Sequence, residues 1–153
     1  CPLRPHSRGT LSLASKDPLE AAKIDPNYLD SPEDIRVLSE GVKIARRMFA
    51  APALQSYIDR EKSPWDEIDV NDDDALHARI RAASETIYHP VGTCSMGPKD
   101  NMNSVVDPEL KVIGTEGLRV ADASIMPRLI GGNTNAPTIM VAEKCADMIK
   151  AAH

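Results

Sequence analysis

Apolar residues recur at helical spacing in three stretches of this chain. Ile35, Leu38, Val42, Ala45 and Phe49 form one stripe, which predicts a helix from Ser31-Pro32-Glu33-Asp34 to about Ala51. Its start carries a capping hydroxyl, a proline in the first turn and two acids at the positive helix end; Pro52 stops it. Leu76, Ile80 and Ala83 mark a second helix, entered from the acidic, turn-rich connector "EKSPWDEIDVNDDD". The third is "APTIMVAEKCADMIKAA", with Asn135 or Ala136 at its cap, Pro137 in its first turn and Lys150 near its negative end. Ile139, Val141, Ala142, Cys145, Met148 and Ile149 make it apolar over more than one face, so it belongs inside something larger.

Strand signals are shorter. Thr10, Ser12 and Ala14 alternate with Leu11 and Leu13, which predicts a short strand with one buried face. Lys111–Ile113 and Leu118–Ala121, separated by "GTEG", predict a hairpin or two neighbouring strands. "KDPLEAAKIDPNYLDSP" holds three prolines and reads as irregular, and "RLIGGNTNAP" as a glycine-rich loop. No internal repeat is visible. The connectors are long for a compact independent domain, so the chain reads as a piece that needs partners.

Composition narrows the field. A length of 153 residues suits one ordinary domain, but aromatic residues are only 3%, so Leu, Ile, Val, Met and Ala must build the core. A net charge of −5 argues against a nucleic-acid partner, and Arg46-Arg47 reads as a solvated face. No apolar run reaches the roughly 20 residues of a membrane span. The opening "CPLRPHSRG" has no initiator methionine and no signal-peptide layout, and reads as a cut or processed end. Cys1, Cys94 and Cys145 are too few and too unevenly placed for a disulfide framework or a zinc site. Both a reduced cytosolic setting and a secreted one fit them.

The chemistry concentrates in two loops. "TIYHPVGTCSMG" sets His89 between an apolar-aromatic pair and a proline-glycine turn. A neutral imidazole there is either a general base or a hydrogen-bonded structural group. "GGNTNAPT" raises the first reading: glycines permit close backbone approach, two asparagines supply amides, and a helix N-terminus follows. Cys94 invites a nucleophile reading, but nothing marks an oxyanion hole, and a buried small side chain is the plainer account. Asp122 in "RVADAS" reads as a carboxylate capping backbone amides. Asp72-Asp73-Asp74 lack the alternate spacing and glycine of a calcium loop and read as a solvated helix cap. His6, His77 and His153 lack metal-ligand spacing and read as surface residues; Trp65 and Tyr57 read as packing or rim groups. The metal-ligand expectation is none.

"YHPVGTCSMG", "VVDPELKVIGTEGLRVADASIMP" and "GGNTNAPTIMVAEKCADMI" closely resemble the C-terminal region of the glucose–methanol–choline (GMC) family of FAD-dependent alcohol oxidoreductases. "RPHSRGTLSLASKDP" and "IDPNYL" resemble that family's lead-in to its substrate domain, so the resemblance spans nearly the whole chain. The wording is similar to choline dehydrogenase-like and alcohol dehydrogenase-like members. The implied fold is mixed α/β (α+β): residues 1–88 part of an antiparallel-sheet substrate domain, and residues 89–153 the returning C-terminal part of the FAD-binding domain.

The resemblance also implies roles. His89 falls on the catalytic histidine that takes the alcohol proton while hydride passes to flavin N5. Asn133 falls on its partner, which hydrogen-bonds the substrate oxygen. Asp122 and Ala123 fall on a turn near the ribityl–pyrophosphate part of FAD, and Asn135, Pro137 and Thr138 on the loop and helix start beside the flavin pyrimidine ring. The implied partners are a small alcohol and the remainder of the FAD-binding domain. One departure matters: the family's GxGxxG, which holds the ADP part of FAD, is absent from these residues. The chain alone is therefore expected neither to hold FAD stably nor to turn over. Two alternatives stand beside alcohol oxidation: a hydroxynitrile lyase-type member, and an inactive or structural fragment.

Overall fold

The computed structural model describes residues 1–152; His153, expected at the surface, lies outside them. Among the described residues four α-helices occur: α1 (Pro32–Phe49), the short α2 (Pro52–Gln55), α3 (Asp73–Ala83) and α4 (Asn135–Ala151). The one sheet among the described residues pairs two short strands, β1 (Thr10–Ser12) and β2 (Lys23–Asp25). The chain divides into two compact units, Cys1–Thr10 with Lys23–Glu85, and Leu11–Ala22 with the residues from Thr86 onward.

In the first unit α1 packs on α3 through Leu29, Ile35, Leu76 and Ile80, with Leu38, Val42, Trp65 and Ile68 against them. The expected stripes are used in part, Ile35, Leu38 and Val42 on α1 and Leu76 and Ile80 on α3, while Phe49 and Ala83 at their ends stay exposed. Their caps differ. The Asp72 carboxylate accepts the Ala75 amide at 3.0 Å and caps α3, as the acidic connector predicts. At α1 the Ser31 hydroxyl makes no capping bond, and Asp34 takes a different job. Its carboxylate, 2% exposed, accepts the amides of His6 (2.7 Å) and Ser7 (2.9 Å) and the Ser7 hydroxyl. An acid at the positive helix end thus ties down the N-terminal segment.

Arg46 also departs from the solvated-face reading. Its guanidinium donates to the carbonyls of Trp65 (2.5 Å) and Ile68 (3.0 Å) and pairs with Glu61. It pins a loop whose Trp65 lies under the Arg79 guanidinium, 5.1 Å from the ring centroid. Tyr57 stands exposed. Pro52, rather than merely ending α1, starts α2.

In the second unit Val106, Leu110, Ile125, Val141 and Cys145 form the core, with Met96, Val112, Val120, Ala121 and Met148 against it. Only one side of α4 is covered: Val141 and Cys145 are buried, while Ile139 and Met140 are exposed. The hairpin expected over 111–121 is reduced to single bridges, Lys111 to Arg119 and Val106 to Val112, around a turn with positive φ at Gly114 and Gly117. Asp107 organises this stretch. Buried, it accepts the amides of Glu109 (2.9 Å) and Lys111 (3.0 Å), bonds that a regular ladder would otherwise claim. The buried face expected of β1 is not found; Leu11 and Leu13 are both exposed.

Burial pushes the Asp34 and Asp107 carboxyls up, but hydrogen bonds to their charged forms outweigh it, from Ser7 and His6 at Asp34 and from Lys111 and Glu109 at Asp107. Both end below the ordinary aspartate value. A depressed folded pKa contributes stability that is complete above the unfolded value, near 4, and is lost as pH falls through the folded one. Asp34→Asn should cost about 1–3 kcal/mol at neutral pH. Amide hydrogen exchange resolved over residues 5–8 and 31–36 should show faster exchange in the variant at pH 7, and a gap that closes as pH drops below 4. Equal exchange at pH 7 would refute the anchoring role.

Candidate active site

The second unit lays three segments side by side. The amides of Cys94 and Met96 donate to the carbonyls of Ser124 (3.0 Å) and Ile125 (2.8 Å), and the amides of Gly97 and Val105 to those of Val106 (3.0 Å) and Ser95 (2.8 Å). The "HPVGTCSMG" segment is thus laced between the 105–106 stretch and the "ADASIM" turn. Gly97 has no room for a side chain, since a Cβ there would collide with the Ser104 hydroxyl. Gly92 turns the chain at φ +93° beside the Met126 carbonyl.

His89 leads into this framework and is half-buried. The residue before it, Tyr88, has φ +61°, a left-handed conformation that costs a non-glycine residue on the order of 1 kcal/mol or more. Its amide is held by the Thr86 hydroxyl at 3.0 Å. Asn27, Leu29 and Leu110 use the same region; at Tyr88 it fixes a turn that leads into His89.

His89 meets the "GGNTN" loop through Thr134. The Thr134 hydroxyl lies 2.9 Å from His89 Nδ1, across 45 residues of chain. Thr134 is 7% exposed and stands at the N-cap of α4, yet its hydroxyl makes no capping bond. Its carbonyl accepts both the Thr138 amide (3.0 Å) and the Thr138 hydroxyl (2.7 Å). The first turn of α4 therefore fixes Thr134, and Thr134 fixes the ring.

The other candidates lie in the same unit. Asn133 and Asn135, on either side of Thr134, are exposed; the partner at Nδ1 is the threonine rather than Asn133. Pro137 and Thr138 are half-buried in the first turn of α4, with the Thr138 hydroxyl proton given to Thr134. Asp122 is exposed and accepts the Ser124 amide at 2.8 Å, the capping role its loop position suggests. Ala123 is half-buried at the start of the following 3-10 turn. Cys94 carries a free, half-buried thiol.

Thr134 is the residue that sequence reasoning passes over. A threonine at an N-cap has a ready local use for its hydroxyl, and only the fold reveals that the hydroxyl is spent elsewhere.

The start of α4 also fits an electron-rich ligand edge. Asn135 and Ala136 have amides with no intrahelical acceptor, Pro137 has none to offer, and the cap hydroxyl is turned away. These are open donors at the positive end of a 17-residue helix, suited to an anionic or electron-rich ligand.

Known proteins are similar to this chain over nearly its whole length. A family model described as GMC oxidoreductase matches residues 5–142. An alcohol dehydrogenase (acceptor) of Pseudomonas putida is 53% identical over 149 residues, covering 97% of this chain and 26% of that protein. The mitochondrial choline dehydrogenase of Homo sapiens is 45% identical over 149 residues, covering 97% of this chain and 25% of that protein. Among solved structures, an FAD-dependent oxidoreductase from Chaetomium thermophilum matches with TM-score 0.90 at 35% identity, over 99% of this chain and 26% of that one. The chain spans about a quarter of the length of the curated relatives it matches. With the family model matching residues 5–142, most of its length, the chain belongs to the GMC oxidoreductase family.

Proposed function

We propose that the protein oxidises the CH–OH group of a small alcohol, with FAD as cofactor and His89 as the general base. The single observation carrying this is the 2.9 Å hydrogen bond between Thr134 and His89, which ties the imidazole to the loop that also holds Asn133 and Asn135. Membership of the GMC family and relatives named alcohol and choline dehydrogenases support the alcohol class.

The roles follow from the groups available. His89 uses Nε2, the ring nitrogen not engaged by Thr134, to accept the hydroxyl proton as the carbinol carbon is oxidised. Asn133 donates its carboxamide N–H to the substrate oxygen, where negative charge grows as the proton leaves. FAD, when bound, supplies the hydride acceptor. Asn135, Pro137 and Thr138 would hold the flavin's pyrimidine end, where the amides at the α4 N-terminus would favour negative charge. Asp122 and Ala123 would lie on the turn that serves its ribityl–pyrophosphate part. The ADP part is left to portions of the protein beyond this chain, and residues 1–88 contribute to the substrate domain while residues 89–153 contribute to the flavin domain.

In flavin-loaded protein, anaerobic addition of a primary alcohol or choline should bleach the oxidised flavin absorbance. His89→Ala should lower kcat/KM by roughly 10²–10⁴-fold, the range for loss of a general base. Asn133→Ala should slow the bleaching rate with flavin content unchanged. No bleaching with any alcohol class would reject alcohol oxidation, and a His89→Ala rate near wild type would reject the base assignment.

A further inference from the structure

We propose that Thr134 is a positioning residue that sets the tautomer of His89, accepting Nδ1–H so that Nε2 carries the lone pair. This inference rests on His89 acting as the base.

The geometry leaves few alternatives. The hydroxyl sits 2.9 Å from Nδ1, and Thr134 is 7% exposed, so little water competes for the contact. Its backbone is clamped by two bonds from Thr138, which prevents it from following a rotating ring. The hydroxyl forgoes the local capping bond that N-cap threonines ordinarily make.

Two proton arrangements satisfy that distance. If the hydroxyl donates to Nδ1, the proton of the neutral ring sits on Nε2, and no lone pair faces the substrate. The hydroxyl must then turn over once the ring becomes an imidazolium, because both nitrogens are then donors. If Nδ1–H donates to Oγ1, Nε2 is basic from the start and the same bond persists after protonation. Only the second arrangement serves the ring in both charge states without rearrangement. Catalysis favours groups already placed for the charge that develops, and this bond is such a group. The side chain touches neither alcohol nor flavin in this scheme; it acts through the imidazole.

Thr134→Val keeps the shape and removes the hydroxyl, while Thr134→Ser restores it. In the flavin-loaded enzyme the valine variant should lose about 10- to 100-fold in kcat, the usual cost of removing a ring-orienting partner, with KM little changed. The serine variant should recover to within a few-fold of wild type. Nitrogen-15 NMR of the histidine ring, read at a pH where it is neutral, should show Nδ1 protonated and Nε2 unprotonated in the wild type. The valine variant should show a mixture of tautomers.

An Nε2-protonated wild-type ring overturns the proposal, as does a valine variant with wild-type kcat. So does a valine variant that loses flavin content and kcat together while its tautomer stays fixed, since that pattern marks a purely structural threonine. If His89→Ala retains activity, the base assignment has failed instead, and the spectrum of the wild-type ring still decides the tautomer.

Discussion

A single hydroxyl–imidazole contact joins the two chemically loaded loops of this chain, and the reading of its site depends on that contact. Thr134 and His89 lie 45 residues apart, on segments with different reasons to be where they are. His89 precedes, across the Gly92 turn, a stretch pinned on two sides by backbone hydrogen bonds, and Thr134 stands at the first turn of a helix anchored through Val141 and Cys145. A side-chain bond between such segments inherits the rigidity of both. Loops supply the functional groups while the helix and the core supply their registration, the common division of labour at catalytic sites.

The same economy appears in the two buried aspartates. Asp34 and Asp107 each gather backbone amides from segments with little regular structure, where a ladder of strand bonds is missing. A carboxylate offers several acceptor positions at once, so one residue replaces several backbone partners. In a chain with two three-residue strands, such anchors do much of what sheets do elsewhere.

Much of the helical framework was legible in the sequence, because stripes such as Ile35-Leu38-Val42 and caps such as Asp72 act over one or two turns. Partners far along the chain were not. Arg46 reads as surface charge until its carbonyl acceptors, 19 and 22 residues away, fold back onto it. The β-branched runs at 111–121 look like strands, yet Asp107 takes the Lys111 amide at their start and only isolated bridges form. At the site, the residues around His89 and in "GGNTN" stood out by type and spacing. Thr134 did not, since a threonine between two asparagines at a helix start carries an ordinary local explanation.

Tyr88 carries a further implication. Its left-handed backbone is a conformation that a free chain seldom samples, and it sets the direction in which the chain enters His89. A synthetic peptide spanning 86–97 would hold every letter of the motif and yet present its imidazole along a different heading. The motif is thus a property of the assembled unit rather than of its twelve residues. Grafting those letters onto another scaffold would transfer the ring without its aim.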